Sequence, residues 1–299
     1  MLSPRAALWE ALQRLCPLHL AGAWDQVGAL IDPPRLGGDA RGAGGARGER
    51  LFLTIDLTEP VFEEAAAWGA TVILAYHPLL FHPLRRLDAR SAISRVALRA
   101  VQAGVAVYSP HSALDAVAGG VCDWLAGAFE PFGVRDLRPL EPCAASPAEG
   151  AGRSLRLERP QPLPALLGAI QGLLRLPYLR VAASEDLRAG GLVERVALCP
   201  GAGGGLFEGL PHAAEGGPQL LLTGELRHHE VLARVREGGA VALTEHTRCE
   251  RGYLPLLAAR LRAALPVGLC ESVEVSRVDE DPLSLYAAPA PLAALGGGR

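Results

Sequence analysis

Short apolar runs punctuated by polar residues dominate the pattern along the chain, and three of them end on a histidine. Residues 71–75 run into Tyr76-His77-Pro78, residues 105–108 into His111 with Asp115 four positions on, and residues 240–244 into Glu245-His246 with Glu250 four positions on. Runs of this length rich in Val, Ile and Leu predict buried strands, as does the stretch 51–56. Helical patterns separate them at 61–68, 91–103 and 120–128, the first opened by Thr58-Glu59-Pro60 with its proline near the first helical position. Alternation of this kind predicts βαβ units and a largely parallel sheet. The theme returns after residue 164, with strands expected at 195–199, 220–223 and 240–244, helices at 164–174, 229–237 and 254–265, and an extended stretch at 271–278.

The chain thus divides into an N-terminal α/β lobe (1–137), a Pro-, Ala- and Gly-rich linker or irregular connection (138–163), and a C-terminal α/β lobe (164–286). The Gly/Arg stretch 35–50 and the tail 287–299 read as disordered. Near the N-terminus, Leu8, Leu12 and Leu15 stand at helical spacing among Arg5, Glu10 and Arg14, which predicts a surface helix and not a signal peptide.

In an open α/β sheet, sites gather beyond the carboxyl ends of the strands, where imidazole and carboxylate together suit zinc, manganese or iron. Pro78 keeps His77 out of the α region and so fixes the direction of its imidazole, although a histidine there can also simply cap the strand. A four-residue spacing puts His111 and Asp115, and likewise His246 and Glu250, on one helical face. Asp115 can ligate a cation or cap a helix, His111 can bind substrate or orient a ligand, and Glu250 can bridge two ions. Thr223-Gly224-Glu225 with His228-His229 offers further acid and imidazole in a supporting or substrate role. Asp25 is another acidic candidate, with turn formation as its structural alternative. Gly201-Ala202-Gly203-Gly204-Gly205 reads as a tight turn, since it does not complete a dinucleotide-binding fingerprint.

Composition narrows the chemistry. The 299 residues are 49% hydrophobic, enough for a real core, and the formal net charge of −3 gives no broad positive field, so nucleic acid is not a favoured partner. The chain has no lysine and no asparagine, which excludes Schiff-base lysine chemistry, a phosphate-loop lysine and N-linked glycosylation. Six scattered cysteines without a C-x-x-C pair suit reduced thiols in a cytoplasm. No apolar run approaches the roughly 18 residues of a membrane span.

Taken together, the motifs 23–28, 55–59, 76–79, 111–115, 223–225, 245–252 and 279–282 resemble the Nif-three-like family, whose members are often labelled GTP cyclohydrolase type 2 homologues. The resemblance runs in order over nearly the whole chain. It implies a two-lobed, interlaced α/β fold with a dinuclear metal centre between the lobes and a homohexamer, a trimer of dimers, enclosing a cavity. By position it implies His77, Asp115, His246 and Glu250 as ligands of two divalent ions per subunit, with Tyr76, His111 and Asp25 as substrate-binding or supporting residues. Many bacterial members have a second histidine where this chain has Tyr76, which bears on the second ion. The functional expectation is a metal-dependent hydrolase acting on a nucleotide or similar small molecule, with Glu225, His228 or His229 moving protons. The alternative is a metal-delivery or scaffold protein without turnover.

Overall fold

Continuous burial of aliphatic side chains along the central strands builds two sheets, and a computed structural model describes them over residues 4–34 and 48–285. The expected disordered tail and most of the Gly/Arg stretch lie outside the described residues. The first sheet contains β1 (Gly28–Ile31), β2 (Glu49–Thr54), β3 (Val72–Ala75), β4 (Ala106–Ser109) and, from the far end of the chain, β13 (Cys270–Val275). Its order is β1-β4-β3-β2-β13, parallel throughout except for β1. The second contains β5 (Val134–Arg138), β8 (Arg153–Pro162), β9 (Arg180–Ala183), β10 (Leu192–Leu198), β11 (Leu220–Thr223) and β12 (Ala240–Leu243), in the order β5-β8-β10-β11-β12-β9. Its centre, β10-β11-β12, is parallel, and the flanking strands are antiparallel. β6 (Glu141–Cys143) and β7 (Ser146–Ala151) form a separate hairpin.

Each sheet buries both faces, and each borrows cover from the other half of the chain. Leu51, Leu53, Val72 and Leu74 on one face of the first sheet meet Leu8 and Leu12 of the helix Pro4–Leu15, and also Leu257 and Leu261 of the helix Leu254–Ala264. Phe52, Ile73 and Val107 on the other face meet Val61, Phe62, Val96 and Ala97 from the helices Glu59–Trp68 and Ala92–Ala103. The second sheet reverses the loan, since Val196, Leu198, Leu220 and Leu222 pack on Cys122, Leu125 and Phe129 from the first half. The interlaced α/β fold is therefore a property of core packing and not only of chain path.

The stretch 138–163 is not a linker. It supplies β6, β7 and all of β8, and β8 carries Arg153, Leu155 and Leu157 inward at alternate positions. Arg153 is almost fully buried and donates to Asp123 Oδ1 at 2.5 Å and to the carbonyls of Gly150, Gly152 and Ala116. One guanidinium thus satisfies carbonyls on both sides of the fold, where an unpaired charge would be costly. Proline is tolerated in the β6–β7 hairpin because those strands pair only with each other.

Shared cores predict one unfolding transition. Phe129→Ala, which empties a fully buried site between the halves, is expected to cost about 3–5 kcal/mol in urea titrations, with circular dichroism and tryptophan fluorescence moving together. Two separated transitions in the unaltered protein would contradict this account.

Candidate metal centre

The carboxyl ends of the parallel strands in both sheets open onto one cleft of about 710 Å³. From the first sheet come Asp56 after β2, Tyr76 and His77 after β3, and His111 and Asp115 after β4. Cys199 and Gly201 after β10, and His246 and Glu250 after β12, complete it from the second.

Three of these residues converge. Donor atoms of His77, His246 and Glu250 lie within 4.8 Å of one another. His77 Nε2 stands 3.5 Å from Glu250 Oε2, and His246 Nε2 stands 3.8 Å from Glu250 Oε1. Glu250 is 3% exposed, and its Oε2 and His77 Nε2 are buried, face each other at 3.5 Å and have no hydrogen-bond partner besides that long contact. Orphaned buried donors aimed at one point are costly in a native fold, and a cation between them removes that cost.

The far sides of the imidazoles fix their tautomers. His77 Nδ1 donates to Asp56 Oδ1 at 2.9 Å, and His246 Nδ1 donates to Glu225 Oε1 at 3.0 Å. A carboxylate only accepts, so each Nδ1 carries a proton, and each ring once neutral offers its Nε2 lone pair to a ligand. A third pair repeats the device, with His111 Nδ1 donating to Asp25 Oδ1 at 2.7 Å. Asp25 also accepts from the Ser112 amide and hydroxyl, and against its burial these bonds hold its carboxyl below the ordinary range. Asp56 is likewise held low against burial by His77 and by Arg251, whose guanidinium lies 3.4 Å away. Burial disfavours charge on His77, yet Asp56 and Glu250 push it up to about 10.

Asp115 does not join the three. Its Oδ1 accepts the Tyr76 hydroxyl at 2.5 Å. Burial, opposed by that bond and assisted by Glu250, pushes it up to about 7. Tyr76 is itself 2% exposed, and burial raises its hydroxyl far above the usual range, so it is a neutral phenol. Glu225 reaches the centre only through His246. His228 and His229 open the helix His228–Arg236 and do not line the cleft; His228 instead borders an apolar groove with Leu163 and Val231. The roles of Asp56, Arg251 and Asp279 were not read from the sequence. Arg251 bonds Asp279 at 2.9 Å, and Asp279 Oδ2 accepts the Ile55 amide at 2.6 Å. A carboxylate directly after a strand that parallels the His77 strand was the available signal for Asp56.

Two of the four non-glycine residues with positive φ among the described residues stand beside the cleft. His111 and Glu245 are non-glycine residues at φ 27° and 68°, a conformation that persists only where surroundings over-determine it. Gly201 has φ 60°, and a Cβ there would sit 2.9 Å from Glu250 Oε1 and 3.1 Å from His246 Nε2. The tight-turn reading of that glycine stands, with an added reason: the donors leave no room for a side chain.

The chain resembles known proteins over nearly its whole length. A profile of the Duf34/NIF3 (NGG1p interacting factor 3) family matches residues 5–282. NIF3-like protein 1 of Drosophila melanogaster is 35% identical over 283 residues, covering 93% of this chain and 88% of its own length. The NIF3 homolog of Schizosaccharomyces pombe is 35% identical over 272 residues, covering 89% and 92%. Among solved structures, a Bacillus cereus protein related to NIF3 superposes with a TM-score of 0.76 at 17% identity, covering 95% of this chain and 99% of its own. Reduced HcgD from Methanocaldococcus jannaschii gives 0.69 at 20%, covering 92% and 97%.

Two outcomes follow for metal uptake. Asp56→Asn, which leaves shape intact but loosens the His77 ring, is expected to weaken divalent-ion affinity roughly 10- to 100-fold in competition titrations with a chromogenic chelator. Because His77 holds a proton below about pH 10 in the metal-free protein, an ion must displace it. Affinity should therefore rise about tenfold per pH unit between pH 7 and 9 and level off above the His77 value; a pH-independent affinity would remove His77 from the ligand set.

Proposed function

The chain belongs to the Duf34/NIF3 family, and on that footing we propose that it is a metal-dependent hydrolase of a small molecule, its ion held by His77, His246 and Glu250. The observation that carries this reading is the pair of orphaned buried atoms, His77 Nε2 and Glu250 Oε2, on a set of two imidazoles and one carboxylate. Three protein ligands are the number that leaves a coordination position open, unlike the closed cysteine-rich sphere of structural zinc. A divalent ion there supplies a Lewis acid and a water of lowered pKa.

The protein's own groups do the rest. Asp56 and Glu225 hold the two imidazoles in the ligating tautomer. Asp115, pushed up to about 7, can take up or release a proton at its carboxyl near neutral pH, steadied by the Tyr76 hydroxyl. Glu225 is the second candidate for proton transfer. Trp24, 63% exposed, stands at the mouth of the cleft with its ring 6.1 Å from Phe81 and 5.8 Å from His111, an aromatic wall for a substrate. GTP as substrate draws little support, because among the described residues no arginine lines the cleft, and the chain has no lysine to meet a triphosphate.

One observation favours the alternative of metal delivery. The His246 side chain is 38% exposed and its partner Glu225 56%, so one ligand faces solvent and can let an ion go. Assembly into a homohexamer is part of the family reading, and light scattering behind size exclusion should give six subunit masses.

The deciding experiment incubates metal-loaded protein with nucleosides, nucleotides, amides and phosphoesters, beside the His246→Ala, Glu250→Ala variant. Turnover in the former and loss of at least 100-fold in the latter are expected. Unchanged substrates, together with transfer of the ion to an apo acceptor, would replace hydrolysis with delivery.

A further inference from the structure

We propose that each subunit holds one divalent ion and that Tyr76 closes the second position that a dinuclear centre would need. The proposal rests on the metal reading above and concerns the number of ions it admits.

Donor count and spacing carry it. Metal–donor distances of about 2.0–2.2 Å place ligands of one tetrahedral ion about 3.4 Å apart. His77 Nε2 lies 3.5 Å from Glu250 Oε2 and His246 Nε2 lies 3.8 Å from Glu250 Oε1, and one atom from each of the three residues fits within a 4.8 Å span that a small contraction brings to one ion. Among the described residues, no second set of three imidazole, thiolate or carboxylate donors comes within the same 4.8 Å span.

A second ion would have to share Glu250 and recruit a carboxylate from the cleft. Asp56 is committed to His77 and Arg251, and Asp25 to His111 and Ser112. Asp115 remains, and with its Oδ1 taken by the Tyr76 hydroxyl at 2.5 Å it can offer only Oδ2, which with one Glu250 oxygen leaves a second ion short of three protein donors. Tyr76 follows β3 directly and is fully enclosed by the first core, while its backbone carbonyl accepts the Ser109 hydroxyl at 2.8 Å. The phenol therefore cannot swing away, and a hydroxyl that donates its proton to a carboxylate offers no anionic oxygen to a metal. The position that would supply a donor instead consumes one.

An imidazole at position 76 reverses both effects. It is shorter than a phenol, so it leaves space before Asp115, and it brings a lone pair.

The test is metal content per subunit, by elemental mass spectrometry after reconstitution with excess zinc and desalting, in the full chain and in Tyr76→His and Asp115→Asn. One equivalent is expected in the unaltered protein, two in Tyr76→His, and one in Asp115→Asn. With manganese, the unaltered protein should give the paramagnetic resonance of an isolated ion. Two equivalents or a spin-coupled pair in the unaltered protein would overturn the single-ion proposal while leaving the metal reading intact. One equivalent in a Tyr76→His protein of unchanged circular dichroism would overturn the role given to Tyr76. Loss of the ion in Asp115→Asn would make Asp115 a ligand and overturn the donor count. No metal in any of the three would sink the metal reading itself, and this proposal with it.

Discussion

The geometry of the cleft depends on one guanidinium. Arg251, one residue beyond Glu250 on the short helix Arg248–Arg251, lies between Asp56 after β2 and Asp279 after β13. It also donates to the Thr247 hydroxyl at 2.9 Å. The same element that carries Glu250 is thereby tied to the carboxylate that orients His77, and the two sheets are held in register across the site. The charge is partly buried and paired on both sides, the arrangement in which losing a partner costs far more than the pair contributes in isolation.

Around that tie the protein holds several groups in states that isolated chemistry would not favour. Glu250 is enclosed, His111 and Glu245 adopt left-handed backbone, and Gly201 is compelled by the proximity of His246 and Glu250. Each carries a cost, and the interlaced cores meet it. Helix Leu254–Ala264 packs on the first sheet and segment 121–129 on the second, so neither half can relax without exposing the other's core.

Three carboxylate–imidazole pairs face one cleft, yet they are not equivalent. Asp56–His77 and Glu225–His246 deliver ligand atoms to Glu250, whereas Asp25–His111 does not reach it. His111 stands 5.3 Å from the His77 ring and 5.8 Å from that of Trp24. The buried thiols of Cys199 and Cys249, both raised by burial, are packing elements of the same wall and not nucleophiles.

How much of this was legible beforehand follows from the range of each interaction. Strands β3, β11 and β12, and the helices behind β2 and β3, were readable because their signals are local: aliphatic runs, a proline at a helix start, a four-residue spacing. His77, His246 and Glu250 were readable for the same reason, since the ends of parallel strands are where ligands gather. Strand β8 was obscured by its Pro, Gly and Ala neighbours, although Leu155 and Leu157 alternate within it; β1 and β9 are short antiparallel edges whose pairing is decided by the strands beside them. Asp56 and Arg251 lie 195 residues apart, and Tyr76 and Asp115 lie 39 apart. The sequence by itself determined which residue types stand at which strand ends. Only the tertiary structure decided which carboxylate backs which imidazole and which acid a phenol occupies, because those choices depend on packing two sheets together and no local pattern encodes them.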